Sequence, residues 1–165
     1  MAENTSTVSK MVIEIYDDDA FTKKSGSYAV LFNPETYSLS WQYELSQMEV
    51  VGGGTTRASL AGISDTDFDM TFLIDGTGVG AAALGRDCLD VTDEIWKFMT
   101  IATILNRDGS RKPQPPFCRL VWGSLCQRAI VKRVKIDVKM SDRNGKALRA
   151  SLTVSFGSVF PPKAA

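Results

Sequence analysis

Chemistry in this chain would have to come from four groups of residues. Gly76, Gly78 and Ala81 spell G-x-G-x-x-A after an apolar run, the spacing with which a tight turn brings backbone amides to a pyrophosphate. Carboxylates gather at Asp17, Asp18 and Asp19 and again at Asp65, Asp67 and Asp69, residue types that serve glycoside hydrolysis or hold calcium. A basic run of Lys132, Arg133, Lys135 and Lys139, followed by Arg143 and Lys146, is of the kind that meets phosphate. Serines and three cysteines, Cys88, Cys118 and Cys126, become nucleophiles only beside a base.

Each group lacks its companions. A dinucleotide fold needs a helix starting at the glycines, then a parallel strand ending in an acid; here the helical pattern begins later and alternating hairpins follow, so 76–80 reads as a flexible connection. Asp67 and Asp69 fall on the polar face of an alternating strand, and the 17–19 run lacks calcium-loop spacing, so both read as solvated. The basic residues share one face of a hairpin with small polar groups, not with the aromatics that stack on single-stranded nucleic acid, which favours a solvated or intersubunit face. The chain has no histidine, the commonest general base and metal ligand, so no triad assembles around its serines or cysteines. The cysteines are odd in number and form no C-x-x-C pair, as expected of reduced thiols in a cytosolic product without a zinc site. No catalytic residue, cofactor or metal is expected, and no enzyme.

The elements behind these residues are those of one domain. At 165 residues and 44% hydrophobic the chain has enough apolar material for a single core. Nineteen basic residues balance nineteen acidic ones, leaving no net field toward nucleic acid or an anionic membrane, and no apolar stretch approaches the ~20 residues of a membrane-spanning helix. The divisions expected are a flexible N-terminus over 1–10, a domain over 11–160 and a tail over 161–165. Short β-branched and aromatic runs predict strands at 11–16, 28–32 and 117–122. Alternation predicts half-buried strands at 37–45, where Tyr37, Leu39, Trp41, Tyr43 and Leu45 share a face, and at 66–75, where Phe68, Met70, Phe72 and Ile74 do. The glycine-rich 51–64 stretch reads as a mobile loop. One helix is expected from Asp90 to Leu105, capped by Asp90, with Val91, Ile95, Phe98, Met99, Ala102 and Leu105 as its apolar stripe. The clearest pattern is a hairpin over 130–156, turning at Asn144-Gly145, the favoured pair for positive φ. The fold class expected is mainly β (α+β), an antiparallel sandwich or barrel with one flanking helix and a long C-terminal hairpin.

Four stretches carry a resemblance over most of the chain: Phe32-Asn33-Pro34 leading into 37–45; Pro115-Pro116 leading to Trp122-Gly123; the 130–140 strand; and Asn144-Gly145 running to Leu148-Arg149-Ala150. Physically these are a core anchor and turn, a stiff path into the sheet, a core or interface aromatic at a bend, and a hairpin. Together they resemble the N-terminal tube-like domain of the LysM-containing tube and baseplate proteins of contractile injection systems, the phage-tail-like machines. The resemblance implies a non-enzymatic structural subunit that forms a ring with copies of itself, a hexamer, at the junction of tube, baseplate and spike. It implies partners among tube, spike or hub and baseplate proteins, with no nucleic-acid recognition and no membrane insertion, in a particle assembled in the bacterial cytoplasm. Such proteins carry a C-terminal LysM domain, whereas this chain stops at Phe160 and five residues more, so peptidoglycan binding is not expected. The intersubunit contacts expected are Arg133, Lys135 and Lys139 on the hairpin and Gly52, Gly53 and Gly54 in the loop. The alternatives are an ordinary inner-tube ring, or a small ligand- or nucleotide-binding β-domain using the 76–81 glycines.

Overall fold

The computed structural model describes residues 9–49, 56–64, 66–83, 89–102, 109–111 and 116–159. In chain order the elements are β1 (Val12–Tyr16), β2 (Lys24–Ala29), β3 (Gln42–Glu49), β4 (Thr56–Ser64), β5 (Asp67–Asp75), α1 (Gly78–Ala83), α2 (Val91–Ala102), β6 (Phe117–Trp122), β7 (Leu125–Ser141) and β8 (Ala147–Ser158). Six strands form an antiparallel sheet in the order β2-β1-β6-β7-β8-β5, and among the described residues β3 and β4 pair only with each other. The fold is mainly β and antiparallel, as its alternating sequence predicts.

Alternation decides which face is covered. On β5, Phe68, Met70, Phe72 and Ile74 are buried, and the register sets them opposite the buried Phe156, Val154, Leu152 and Ala150 of β8. Phe68 and Phe156 stack with centroids 5.3 Å apart. Each such side chain contributes about 1.5–3 kcal/mol by leaving water, so this two-strand seam is the largest apolar share of the core. Ile13, Leu120, Cys118 and Ala129 continue the covered face across β1, β6 and β7. Helix α2 packs against β1, β2, β5 and β8, strands that include both edges of the sheet, so the sheet must curl around it. Its Phe98 is fully buried and meets Tyr28 edge-on at 5.2 Å. Asp90 caps it, its Oδ1 accepting from the backbone amides of Thr92 (2.9 Å) and Asp93 (3.1 Å).

Several boundaries differ from expectation, each for a local reason. The second strand is 24–29, not 28–32: KSGSYA is a polar edge strand held by the β1 ladder, and after Ala29 the Val30 amide bonds Met11 O (3.0 Å) as the chain leaves the sheet. The 37–45 strand begins at Gln42; of its apolar side chains Leu39 is half-buried against the core, whereas Tyr37, Trp41, Tyr43 and Leu45 are exposed, with no second layer over the ribbon among the described residues. Residues 56–64 of the expected loop are a strand, since small side chains still ladder when a neighbour is at hand; Gly52, Gly53 and Gly54 lie outside the described residues.

The 76–80 connection is not flexible throughout. Helical geometry begins at Gly78, and Gly76 is packed so closely that a Cβ there would lie 2.6 Å from Leu89 O and 2.8 Å from Val91 Cγ2. On α2 the buried face includes Glu94, a charged residue that an apolar stripe passes over, while Ile95 and Met99 are half-buried; Leu105 lies outside the described residues.

At the hairpin tip only Gly145 has positive φ (+80°), not Asn144. The Asp142 amide bonds Lys146 O (2.9 Å) and the Gly145 amide bonds Asp142 O (3.1 Å), a three-residue connection ending in a left-handed glycine. Asp142 Oδ1 accepts from the amides of Asn144 and Lys146, both at 2.8 Å, which is why an aspartate starts the turn.

Candidate assembly surface

The expected hairpin is the longest feature of the sheet, and its two strands differ in surroundings. β6 pairs with β7 only from Leu125 to Ile130, and the Val131 amide makes the last bond on that side, to Pro116 O (3.2 Å). Beyond it, 132–141 pairs with β8 on one edge and with no strand among the described residues on the other. Ile136 and Val138 sit on the core-facing side of that stretch, opposite the buried Leu152 and Ala150; a register shift follows Val138, and Met140 stands opposite Arg149. All three are exposed, Val138 at 52% of its surface. On the opposite side Arg133 and Lys135 stand across from Ser155 and Thr153.

The β3–β4 ribbon is the second unpartnered feature. Its register puts Tyr43 opposite Ile63 and Leu45 opposite Leu60, so one face is apolar, whereas Gln42, Glu44 and Ser46 lie with Ser64, Gly62 and Ser59 on the other. Tyr43, Leu45 and Leu60 are exposed, Leu45 at 65%. The polar face is tied within itself by Ser46 Oγ and Ser59 Oγ (2.8 Å) and by Ser64 donating to Glu44. Ser40 and Thr66 hydrogen bond where the ribbon leaves and rejoins the body. Neither strand joins the six-stranded sheet.

The hairpin is anchored beside its turn. Arg149 meets Asp75 through Nε (3.0 Å) and Nη2 (2.7 Å), both on Oδ2. Burial would raise Asp75, but hydrogen bonds from Thr77 and Arg149 outweigh it and hold its carboxyl below the usual range. Leu148 O accepts from the Gly76 amide (2.9 Å), and Ala150 is fully buried. Lys146 reaches Asp90 Oδ2 (2.7 Å), linking the turn to the cap of α2; this hydrogen bond lowers Asp90 and raises Lys146. Of the hairpin cations expected to make contacts, Lys135 pairs with Asp137 (3.3 Å), and Arg133 and Lys139 have no ion-pair partner among the described residues.

The other motif residues converge on the start of β1. Asn33 Oδ1 accepts from the Met11 amide (2.9 Å) and its Nδ2 donates to Ser9 O (2.8 Å). Trp122 Nε1 donates to the same Ser9 O (3.0 Å), and Tyr37 lies against the Trp122 ring at 6.0 Å. Phe32 packs on the core beneath Lys10, Pro34 is buried, and Gly123 takes φ +58° at the β6–β7 turn. Pro116 O holds Val131 as described above, and Pro115 lies outside the described residues.

One cluster escapes sequence reasoning. Glu14 on β1 takes Arg119 (2.6 Å) and Lys24 (2.6 Å) and accepts from Tyr16 Oη (3.1 Å). Burial alone would raise it, but hydrogen bonds from Lys24, Arg119 and Tyr16 outweigh this and lower it. Phe21, at φ +58°, folds beside them, 5.6 Å from Tyr16 and 6.0 Å from Phe117, under the Arg128 guanidinium at 4.8 Å. An aromatic with positive φ inside a polar connection gives no signal in sequence.

The acidic groups are used locally. Asp18 accepts from Thr22 and from the Lys23 amide, and Asp67 pairs with Lys132 (2.6 Å). Among the described residues no three His, Cys, Asp or Glu side chains gather as a metal site requires. Cys118 is buried, which pushes its thiol up, and Cys126 is half-buried. Gly76 and Gly78 follow a strand of an antiparallel sheet, and among the described residues that sheet supplies no parallel neighbour for a dinucleotide crevice.

The profile of the contractile injection system tube protein family matches residues 7–164. No curated protein matches the chain. Among solved structures, a chain of the cryo-EM structure of the anti-feeding prophage (AFP) baseplate, 6-fold symmetrised, aligns over 96% of this chain and 94% of that one, at 10% identity and a TM-score of 0.43.

Proposed function

Because the chain belongs to the contractile injection system tube protein family, a structural family of phage-tail-like particles, we propose that it is a ring subunit at the junction of tube and baseplate or spike. The ring is a closed hexamer of this chain, made by sheet extension between copies, and its work is mechanical, not catalytic. Its neighbours above and below are tube, spike or hub and baseplate proteins, and the particle is assembled in the bacterial cytoplasm. One observation carries the assembly mode: the edge of β7 over 132–141, unpaired among the described residues and flanked by exposed Ile136, Val138 and Met140. A strand edge of that length invites pairing with another chain, and a closed ring leaves no such edge exposed.

Electron microscopy of the purified chain tests the ring. Closed particles with six copies are expected, and a strictly monomeric protein at concentrations up to the millimolar range would refute the proposal. Copy number per intact particle then separates a single junction ring from an ordinary tube ring repeated along the shaft.

A further inference from the structure

Resting on that ring reading, we infer that the strand added to the free edge of β7 is the β3–β4 ribbon of the next copy. Three properties of the two surfaces match. The first is length: β3 has 8 residues and β4 has 9, against the ten positions of 132–141, so at ~3.3 Å per residue one ribbon strand covers nearly the whole open edge. The second is facing. Both surfaces are amphipathic with period two, so one register joins Tyr43 and Leu45, or Leu60 and Ile63, to Val134, Ile136 and Val138 as a continuous apolar face. The third is charge. In that register Glu44 falls on the same side as Arg133 and Lys135, and Arg133 lacks an ion-pair partner among the described residues.

Donor and acceptor are different pieces of one surface, which decides the kind of assembly. A self-complementary patch closes as a two-fold dimer, whereas a ribbon that fits an edge elsewhere on the molecule makes a head-to-tail contact that repeats until the ring shuts. Each copy then gives its ribbon to one neighbour and receives one from the other.

Inter-copy disulfide trapping tests the pairing. Leu45→Cys and Leu60→Cys chains are each mixed with Ile136→Cys, Val138→Cys or Met140→Cys chains, assembled and oxidised, with the unsubstituted chain as control for its own cysteines. Directly opposed residues of an antiparallel pair bring Cα atoms to ~4.5–5.5 Å, inside the ~4.4–6.8 Å span of a disulfide. At least one mixed pair should give cross-linked dimer ten-fold or more above either variant alone. Rings without cross-linking in any mixed pair overturn the inference and leave the ring reading standing. Cross-linking of Leu45→Cys or Leu60→Cys chains to themselves instead shows ribbon on ribbon, and also overturns it. An unsubstituted chain that forms no ring at all fails the ring reading itself.

Discussion

Ile136 and Leu152 face each other across β7 and β8, yet Leu152 is 0% exposed and Ile136 is 40% exposed. Alanine at these two positions should therefore separate folding from assembly. Leu152→Ala removes a packed side chain and leaves a cavity, costing about 3 kcal/mol. In a chain of this size a kilocalorie moves Tm by roughly 2–4 °C, so the unassembled protein should melt ~6–12 °C lower. Ile136→Ala deletes a side chain already two-fifths in water, so its folding cost is about 1 kcal/mol and its Tm shift ~2–4 °C. The exposed fraction is what a neighbour would cover: about 1 kcal/mol per interface, roughly five-fold in each association constant and multiplied around a ring. Differential scanning fluorimetry on dilute protein reads the first quantity and sedimentation velocity on concentrated protein the second. Equal Tm losses, or assembly untouched by Ile136→Ala, would refute the claim that this hairpin is half core and half docking edge.

Gly76→Ala should cost about 1–3 kcal/mol, because its Cβ would press on Leu89 O and Val91 Cγ2, whereas Gly78→Ala, with open space around it, should leave Tm unchanged or raised; urea midpoints check both. Gly145→Val forces a β-branched residue to φ +80° and should lower stability by about 1–2 kcal/mol and impair assembly, so unchanged ring formation would contradict the turn geometry. Glu14 and Asp75 are held below the ordinary carboxylate range, so the stability they contribute is complete above that range and lost as pH falls through it toward their folded values. Urea midpoints from pH 7 down to pH 3 should fall, and Glu14→Gln should start lower at pH 7 and fall less; an identical slope in the variant would show that Glu14 has no part in it.

What the sequence makes legible follows from where its patterns meet a covered face. β5 and β8 alternate against the core, so their buried residues can be named in advance: Phe68, Met70, Phe72 and Ile74 against Ala150, Leu152, Val154 and Phe156. The Tyr37 to Leu45 alternation identifies an amphipathic segment equally well, but a period of two carries no information about whether the covering surface belongs to the same chain. β2 and β4 are hidden for the opposite reason. Their serines, glycines and alanines have weak strand preference, and they are strands because a neighbour ladders with them. The anchors at Asn33, Asp75 and Glu14 are bonds between segments far apart in sequence, beyond any local pattern.

The way the chain treats its edges distinguishes accident from design in the exposed apolar surface. An unpaired strand edge promotes aggregation, and the usual protections are short length, polar side chains and inward or flanking charge. Both outer edges of the six-stranded sheet carry them. β2 is six residues long and reads KSGSYA, with Lys24 turned to Glu14; β5 carries Asp67 and Asp69 on its open face, with Lys132 drawn to Asp67. The ribbon and 132–141 carry charge as well, Glu44 on the one and Lys132, Arg133, Lys135, Asp137 and Lys139 on the other, but both are long, and Tyr43, Leu45 and Leu60 on the ribbon and Ile136, Val138 and Met140 on β7 stand exposed beside those charges. The same chain that blunts two edges leaves two others long, alternating and sticky. Exposed apolar side chains on long edges lower the solubility of the separate subunit, and the proposed assembly would cover them; substituting lysine at Leu45 or Val138 should then raise the solubility of the subunit while abolishing the ring.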